Sequence, residues 1–592
     1  MPATLPFEVA HSALGQQWQL READEAEAKK LSQRLRCPEI VGRILAARGV
    51  TDATADAYLD TSLKTHMPDP STLMDMDKGA LRLAKAVQRG ETIGLFGDYD
   101  VDGGTGTATM ARYLRQLGAE PVTYIPDRRK EGYGPSPEAF AAMVEQGAGL
   151  IVTIDCGTTS TEALEWAAGK GIDVIVVDHH LPNDNPPPTH ALINPKRADD
   201  TSGLDYLSAA GVAFLLAVGL NRTLRQDGFF EGNGPPEPKL MNLVDLTALG
   251  TVCDVVPLEG LNRAFVMQGL KVMQAKGNMG IAALEEVAKT SGKPSTYHLG
   301  FLIGPRINAG GRLGPAGLAL KLLSTDDALE AKQIARELDA LNVKRRAVEQ
   351  GVQDEAMLMA QDQVERGARV IVVAGQGWHE GVVGIVAGRL KERFGFPAIA
   401  LSLSEDGTAK GSGRSINGVD LGGAIVSAVD AKLLIRGGGH GMAAGMTVAR
   451  DRIEELISYL HGVLGHSVDE ARSHVALRVD GLVGLGAVNE DLSDAIALAG
   501  PYGAGNSEPR VVCPRVTVVM ADRVGADHVR CILSDDAGNR MKGIAFRCAD
   551  TGLGALLMEG AQKPIHVVGR IKDDYWKGRR QVQLQIEDAA VA

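Results

Sequence analysis

The chain has 592 residues, of which 44% are hydrophobic and 23% charged, with a formal net charge of −12. That length exceeds one hydrophobic core, so three or four domains are expected, and the balance is that of an ordinary soluble globular protein. An acidic total counts mildly against a nucleic-acid binder, although binding needs only one local positive channel.

The six cysteines (Cys37, Cys156, Cys253, Cys513, Cys531 and Cys548) form no CxxC pair, which argues against zinc ribbons and disulfide frameworks. Residues 1–15 lack the basic start and apolar stretch of a signal peptide, and no run approaches a membrane span. Reduced thiols in a cytoplasmic protein are therefore expected.

Residues 1–75 read as short helices, around 40–45 and 53–59. From about 76 to 260, apolar strands alternate with Ala-rich helical stretches, the rhythm of a parallel α/β sheet, and the domain they begin is expected to extend over 76–323. Residues 228–238, rich in Gly, Pro and Glu, read as a loop. Ser324-Thr325-Asp326-Asp327 is an N-cap signal, and Ile334, Leu338, Leu341, Val348 and Val352 recur at helical spacing behind it. A connecting helix over 324–367 follows. A second α/β region is expected over 368–465. Short strands at 516–519, 529–533, 565–571 and 581–586 then predict an antiparallel barrel over 470–592, for which an oligonucleotide-binding (OB) fold fits. The fold class is thus multi-domain α/β with a C-terminal β-barrel.

Chemistry concentrates at the ends of three predicted strands. Asp98, Asp100 and Asp102 follow residues 93–96, Asp155 follows 149–154, and Asp178-His179-His180 follows 172–177. Carboxylates at the carboxyl ends of successive parallel strands face one crevice. In an extended segment Asp98, Asp100 and Asp102 would share one side. So many like charges repel unless something positive joins them. Carboxylates with imidazole suit Mn²⁺ or Mg²⁺, and a pair of such ions is the economical answer. An Asp-rich turn capping a helix is the plainer alternative.

These runs resemble the motifs of the DHH phosphoesterase superfamily: Asp98-Tyr99-Asp100-Val101-Asp102-Gly103 its first motif, Asp178-His179-His180 its signature. Residues 249–258, ending in Asp254-Val255-Val256-Pro257-Leu258, resemble its later aspartate motif. Gly304-Pro305-Arg306-Ile307-Asn308-Ala309-Gly310-Gly311-Arg312 resembles a segment of the RecJ branch, and residues 437–445 the glycine-rich hallmark of the DHH-associated domain. The resemblance runs from about residue 40 to the end of the chain. It implies a DHH domain and a DHH-associated domain joined by the long helix, then an OB-type barrel. It also implies the activity of the RecJ branch: a single-strand-specific 5′ exonuclease that uses two Mn²⁺ or Mg²⁺ ions in DNA recombination and repair.

Residue by residue, the resemblance makes Asp100, Asp102, Asp155, His179 and Asp254 metal ligands, with Asp155 the bridge. Phe96 stands where many members carry a histidine, so Asp98 would substitute. Asp178 would orient an imidazole or bind metal, and His180 would contact the scissile phosphate or act as an acid. Asp245 is an alternative to Asp254. Gly103-Gly104-Thr105-Gly106 departs from the Gly-Ile-Thr-Ser common in the branch.

Arg128 or Arg129 would bind a terminal phosphate, since a guanidinium donates in pairs; a solvated basic loop is the alternative. Arg306, Asn308 and Arg312 would track the strand backbone. His379 would contact nucleic acid or cap a helix. Ser412 and Arg414 resemble a phosphate-contacting loop, and His440 a backbone-close contact. Trp576, beside Lys577, Arg579 and Arg580, would offer a base a face to stack on. Single-stranded DNA is the expected partner, with a single-strand-binding protein and a helicase beyond it, and no membrane. The alternatives are a DHH phosphodiesterase for short oligoribonucleotides or cyclic dinucleotides, and an inactive replication scaffold. Such scaffolds often lose the acids that this chain keeps.

Overall fold

A computed structural model describes residues 5–592 apart from 6, 8, 10–11, 129, 184, 474–475, 560–562, 577–578 and the side chain of Trp576. The chain divides into two compact units: residues 1–311, 315–338 and 476–592 form one, and residues 312–314 and 339–475 the other.

The first unit contains a five-stranded sheet. Its strands are β1 (Ile93–Gly97), β2 (Val122–Tyr124), β3 (Leu150–Ile154), β4 (Asp173–Val177) and β5 (Ala191–Ile193), in the order β2-β1-β3-β4-β5. All neighbours are parallel. Every residue of β1 and β3 is buried, which is why these strands read as unbroken apolar runs. Helix α1 (Val101–Gln116) follows β1, and α2 (Ala209–Gln226) and α3 (Val244–Cys253) pack against it. Helix α4 (Gly304–Leu313) comes later, before the 38-residue helix α5 (Ala328–Glu365). Asp327 caps α5, its carboxylate accepting from the N–H groups of Leu329 and Glu330.

The second unit holds a mixed sheet of β6 (Ile371–Gln376), β7 (Ala398–Leu403), β8 (Thr408–Arg414), β9 (Arg436–His440) and β10 (Ala443–Ala449), in the order β9-β10-β8-β7-β6. Helix α6 (Glu380–Phe394) lies on one face.

The C-terminal strands belong to the first unit. They are β11 (Val511–Val524), β12 (His528–Ser534), β13 (Arg540–Ala545), β14 (Ile565–Trp576) and β15 (Arg579–Val591), and β11 pairs with both β12 and β14, closing a five-stranded barrel. Its apolar interior, including Val518, Cys531, Leu533 and Ile586, is one cluster with Leu31, Val41, Ile44 and Leu45 of the N-terminal helices. The strand Gln17–Leu20 pairs with Ala476–Val479, and the Trp18 indole donates to Asp588 at 2.9 Å. The start and end of the chain therefore share a core. Arg263 ties that core to the α/β layer by donating to the Gly500 carbonyl at 2.5 Å. Among the described residues, no helix is long and apolar enough to cross a membrane.

Candidate metal centre

Each acidic side chain is aimed by a local feature. The chain leaves β1 at Gly97, and Asp98 N–H donates to the Ile154 carbonyl at 3.3 Å, which holds the two strand ends together. Asp100 is the N-cap of α1, accepting from Gly103 N–H at 3.1 Å. Asp102 lies in the first turn of that helix, so the run is not extended as far as residue 102. A Cβ on Gly103 would stand 2.7 Å from Asp98 Cβ, so glycine permits the helix to start this close to the strand end. Asp102 has a second task that its sequence position does not disclose. Its carboxylate accepts from the N–H groups of Ala209 and Ala210 at 2.6 and 3.0 Å, at the N-terminus of α2.

Asp155, just past β3, holds φ at +64°, a strained conformation outside glycine that asparagine and aspartate tolerate best. His179 follows β4, and its Nδ1 lies 3.1 Å from the Leu207 carbonyl. That bond places the proton on Nδ1 and leaves Nε2 as a bare acceptor. Asp254 ends α3. Asp245 sits in the first turn of the same ten-residue helix, at its opposite end, and joins none of the groups described next.

The His179 Nε2 atom lies 3.3 Å from Asp155 Oδ1, 3.6 Å from Asp254 Oδ2 and 4.0 Å from Asp102 Oδ2. Asp98 Oδ1, Asp155 Oδ1, Asp254 Oδ2 and His179 Nε2 are all buried with no hydrogen-bond partner. Buried polar atoms are nearly always paired, so orphans on Asp155 and Asp254 around His179 Nε2, with a further one on Asp98, which groups with Asp155, fit bound cations. Among the described residues, three overlapping groups have ligand atoms within 4.8 Å of one another: Asp98/Asp100/Asp155, Asp102/His179/Asp254 and Asp155/His179/His180. Oxygen and imidazole donors without thiolate suit Mn²⁺ or Mg²⁺.

The electrostatics agree. Burial, and then the Asp100 charge, pushes Asp102 up to about 7. Burial and then Asp102 pushes Asp254 up to about 9. Asp98 and Asp155 rise for the same reasons, burial first and neighbouring carboxylates second. Burial, assisted by the His180 charge, lowers His179 to about 4, so its ring is neutral and fit to ligate.

Asp178 stands apart. Its Oδ1 accepts from His180 Nδ1 at 2.7 Å and from the His179 and His180 N–H groups, and its Oδ2 accepts from Thr158 N–H. Burial alone would raise its pKa, but these donors outweigh burial and hold it well below the usual carboxylate range. Burial would lower His180, yet the Asp178 hydrogen bond and charge raise it. Asn194, beyond β5, donates to the His180 carbonyl at 2.8 Å and to Thr158 Oγ1 at 3.0 Å. Sequence reasoning missed Asn194 and also Tyr133, whose hydroxyl lies 3.0 Å from the Asp155 carbonyl oxygen.

The remaining expected contacts scatter. The Arg128 guanidinium lies 5.3 Å from the Tyr99 ring centroid, beside the acidic cluster; Arg129 falls outside the described residues. Arg306 is buried on α4 and donates to the Leu302 carbonyl at 2.6 Å, while Asn308 is half-buried on that helix. In the second unit, Arg312 donates to the Gly381 carbonyl at 2.6 Å, and His379 is the N-cap of α6 through its Nδ1. Arg414 donates to Ser412 Oγ at 2.9 Å. Arg414, Ala443 and His440 share one rung of β8, β10 and β9, so their side chains share a face. Ser412 lies on that face too, opposite Gly445. The Trp576 side chain is outside the described residues.

Comparison with known proteins adds three family matches: "DHH family, N-terminal domain" over residues 92–251, "DHHA1 domain" over 367–465 and "RecJ OB domain" over 479–588. The single-stranded-DNA-specific exonuclease RecJ of Dickeya dadantii is 36% identical over 560 residues, covering 93% of this chain and 96% of the relative. That of Escherichia coli is 35% identical, covering 97% and 99%. A crystal structure of RecJ in complex with Mn²⁺ from Thermus thermophilus superposes with a TM-score of 0.76 at 30% identity, covering 97% of this chain and 79% of that one. The Mg²⁺ complex from the same organism gives 0.72 at 28% identity, covering 97% and 78%.

Proposed function

The chain belongs to the RecJ family of DHH proteins, and on that premise we propose that it is a single-stranded-DNA-specific 5′-to-3′ exonuclease of recombination and repair, a metal-dependent phosphodiesterase releasing 5′ mononucleotides. The observation that carries the chemistry is the bare, buried Nε2 of His179 facing three carboxylates. Without a cation this arrangement is repulsive, and with one it is a ligand set.

Two ions would use Asp98, Asp100 and Asp155 on one side and Asp102, His179 and Asp254 on the other, with Asp155 reaching both. Bound Mn²⁺ or Mg²⁺ supplies Lewis acidity, which makes a water nucleophilic at neutral pH and neutralises charge on the phosphate. The protein's own residues do the rest. Asp178 fixes the His180 ring through Nδ1, leaving Nε2 to meet the scissile phosphate or pass a proton to the leaving oxygen. Arg128 would hold a phosphate near the cluster, with Arg306, Asn308 and Arg312 along α4 as backbone contacts. Ser412, Arg414 and His440 share a glycine-rich face, from which hydroxyl and guanidinium donors would reach an oxyanion, and they would bind the 5′ phosphate. His379 would contribute through the N-terminus of α6. Arg129 and Trp576 keep the roles the sequence suggested.

The barrel would add stacking and charge for a longer strand. A single-strand-binding protein and a helicase would supply the strand in the cytoplasm. The retained acids weigh against an inactive scaffold. The test is degradation of single strands labelled at either end, with Mn²⁺. Loss of nucleotides from the 5′ end supports the reading, and loss from the 3′ end overturns the polarity.

A further inference from the structure

The loop after β2 is stapled to its own start and reaches the acidic cluster through Tyr133. Glu131 accepts from the Tyr124 hydroxyl at 2.7 Å and from Asp127 N–H at 2.6 Å. Gly132 and Gly134 both hold positive φ, +86° and +80°, and the turn they make aims Tyr133, between them, back at the site. The Tyr133 hydroxyl lies 3.0 Å from the Asp155 carbonyl oxygen and 3.2 Å from His180 Nδ1, and its ring meets the His180 ring edge to face at 5.7 Å.

The donors and acceptors can be assigned without ambiguity of sign. A carbonyl only accepts, so the tyrosine proton goes to Asp155. His180 Nδ1 lies 2.7 Å from the Asp178 carboxylate, so that nitrogen carries a proton, which the Tyr133 oxygen can share through a lone pair. One hydroxyl thus ties the peptide of Asp155 to the ring of His180. The Asp155 peptide is the strained one, at φ +64°, and its carboxylate belongs to two of the three candidate ligand groups. A strained backbone persists only where its surroundings hold it.

We propose that Tyr133 is a positioning residue whose hydroxyl holds Asp155 in the backbone conformation that presents its carboxylate to divalent cations. The proposal rests on the metal reading above, and its test separates the two. Mn²⁺ binding to purified full-length protein, without DNA, is followed by calorimetry for wild type, Tyr133→Phe and Tyr133→Leu. Absence of binding by the wild type would overturn the metal reading itself. With wild-type binding in hand, loss of one neutral hydrogen bond should weaken Mn²⁺ affinity about three- to tenfold in Tyr133→Phe. Tyr133→Leu should lose as much, with the thermal midpoint nearly unchanged for both because the loop lies on the surface. At saturating Mn²⁺ the KM for single strands should stay at the wild-type value in Tyr133→Phe. A wild-type Mn²⁺ isotherm for Tyr133→Phe, or a raised KM with unchanged metal affinity, would overturn the proposal. If Tyr133→Phe itself melts early, the Mn²⁺ isotherm of Tyr133→Leu measured below its midpoint decides in the same way.

Discussion

His180 Nδ1 donates to Asp178 Oδ1 at 2.7 Å, and Asp178 belongs to none of the metal-holding groups among the described residues. Asp178 thus orients from outside those groups a ring that, with Asp155 and His179, belongs to one of them.

Asp178→Asn should therefore keep metal binding and lose turnover. The amide cannot accept from His180 and the three backbone N–H groups as the carboxylate does, so the ring loses its orientation. A drop in kcat of about a hundred- to ten-thousandfold is expected for a mispositioned acid or base. Calorimetry with Mn²⁺ should give the wild-type affinity, and a lost isotherm would put Asp178 among the ligands instead.

Arg414→Ala should blunt discrimination between 5′-phosphate and 5′-hydroxyl ends. A charge-assisted hydrogen bond contributes roughly 1.5–3 kcal/mol, or about ten- to a hundredfold in affinity. Competition between the two kinds of labelled single strand measures it. Equal weakening toward both ends would place the 5′ pocket elsewhere.

Ile44→Ala should loosen the barrel from the far end of the sequence. Ile44 is fully buried in the cluster that also holds Val518, Leu533 and Ile586. Emptying such a site costs about 2–5 kcal/mol. Hydrogen exchange should show protection falling in β11–β15 as well as in the N-terminal helices. Loss confined to the helices would mean that the two are separate cores. By the same reasoning, cutting the chain after residue 470 should destabilise the N-terminal helices besides weakening strand binding.

Asp245 should make stability fall as pH rises. Burial pushes its carboxyl from the ordinary 3.8 up to about 6, and its Oδ2 has no partner. Between those values the folded state binds more protons than the unfolded state, so stability is lost across that window and stays lost above it. Asp245→Asn removes the effect. The variant should gain on the order of 3 kcal/mol at pH 7.5 and nothing below about pH 3, read from denaturant midpoints. An equal difference at both pH values would show that the carboxyl does not titrate there.

Much of the site was legible because its residues sit at strand ends. Ile93–Gly97, Leu150–Ile154 and Asp173–Val177 are buried on both faces, and such strands announce themselves as apolar runs that stop at their acids. The cap at Asp327 was equally plain, since a local motif controls a local hydrogen bond. Long-range relations were not legible. Asp102 capping α2, Asn194 holding His180 and Trp18 reaching Asp588 join positions that no local pattern connects. The strand Arg540–Ala545 escaped because its outward residues, Arg540 and Lys542, alternate with Met541 and Gly543 and leave little apolar signal. Asp102 was assigned to an extended run because the helix begins at Val101, one residue before it, with glycines that do not advertise a helix.

The most direct test of the metal reading is Asp155→Ala, assayed on 5′-phosphorylated, 3′-labelled single strands with Mn²⁺ and again with a chelator. The carboxylate lies just past the carboxyl end of the central strand β3, among like charges whose repulsion its removal relieves, so the variant should fold with a wild-type circular dichroism spectrum. The account predicts that wild-type protein shortens the strand from the 5′ end only with the metal, and that the variant leaves it intact under both conditions. Substantial 5′ degradation by the folded variant, or by wild type in chelator, would contradict it.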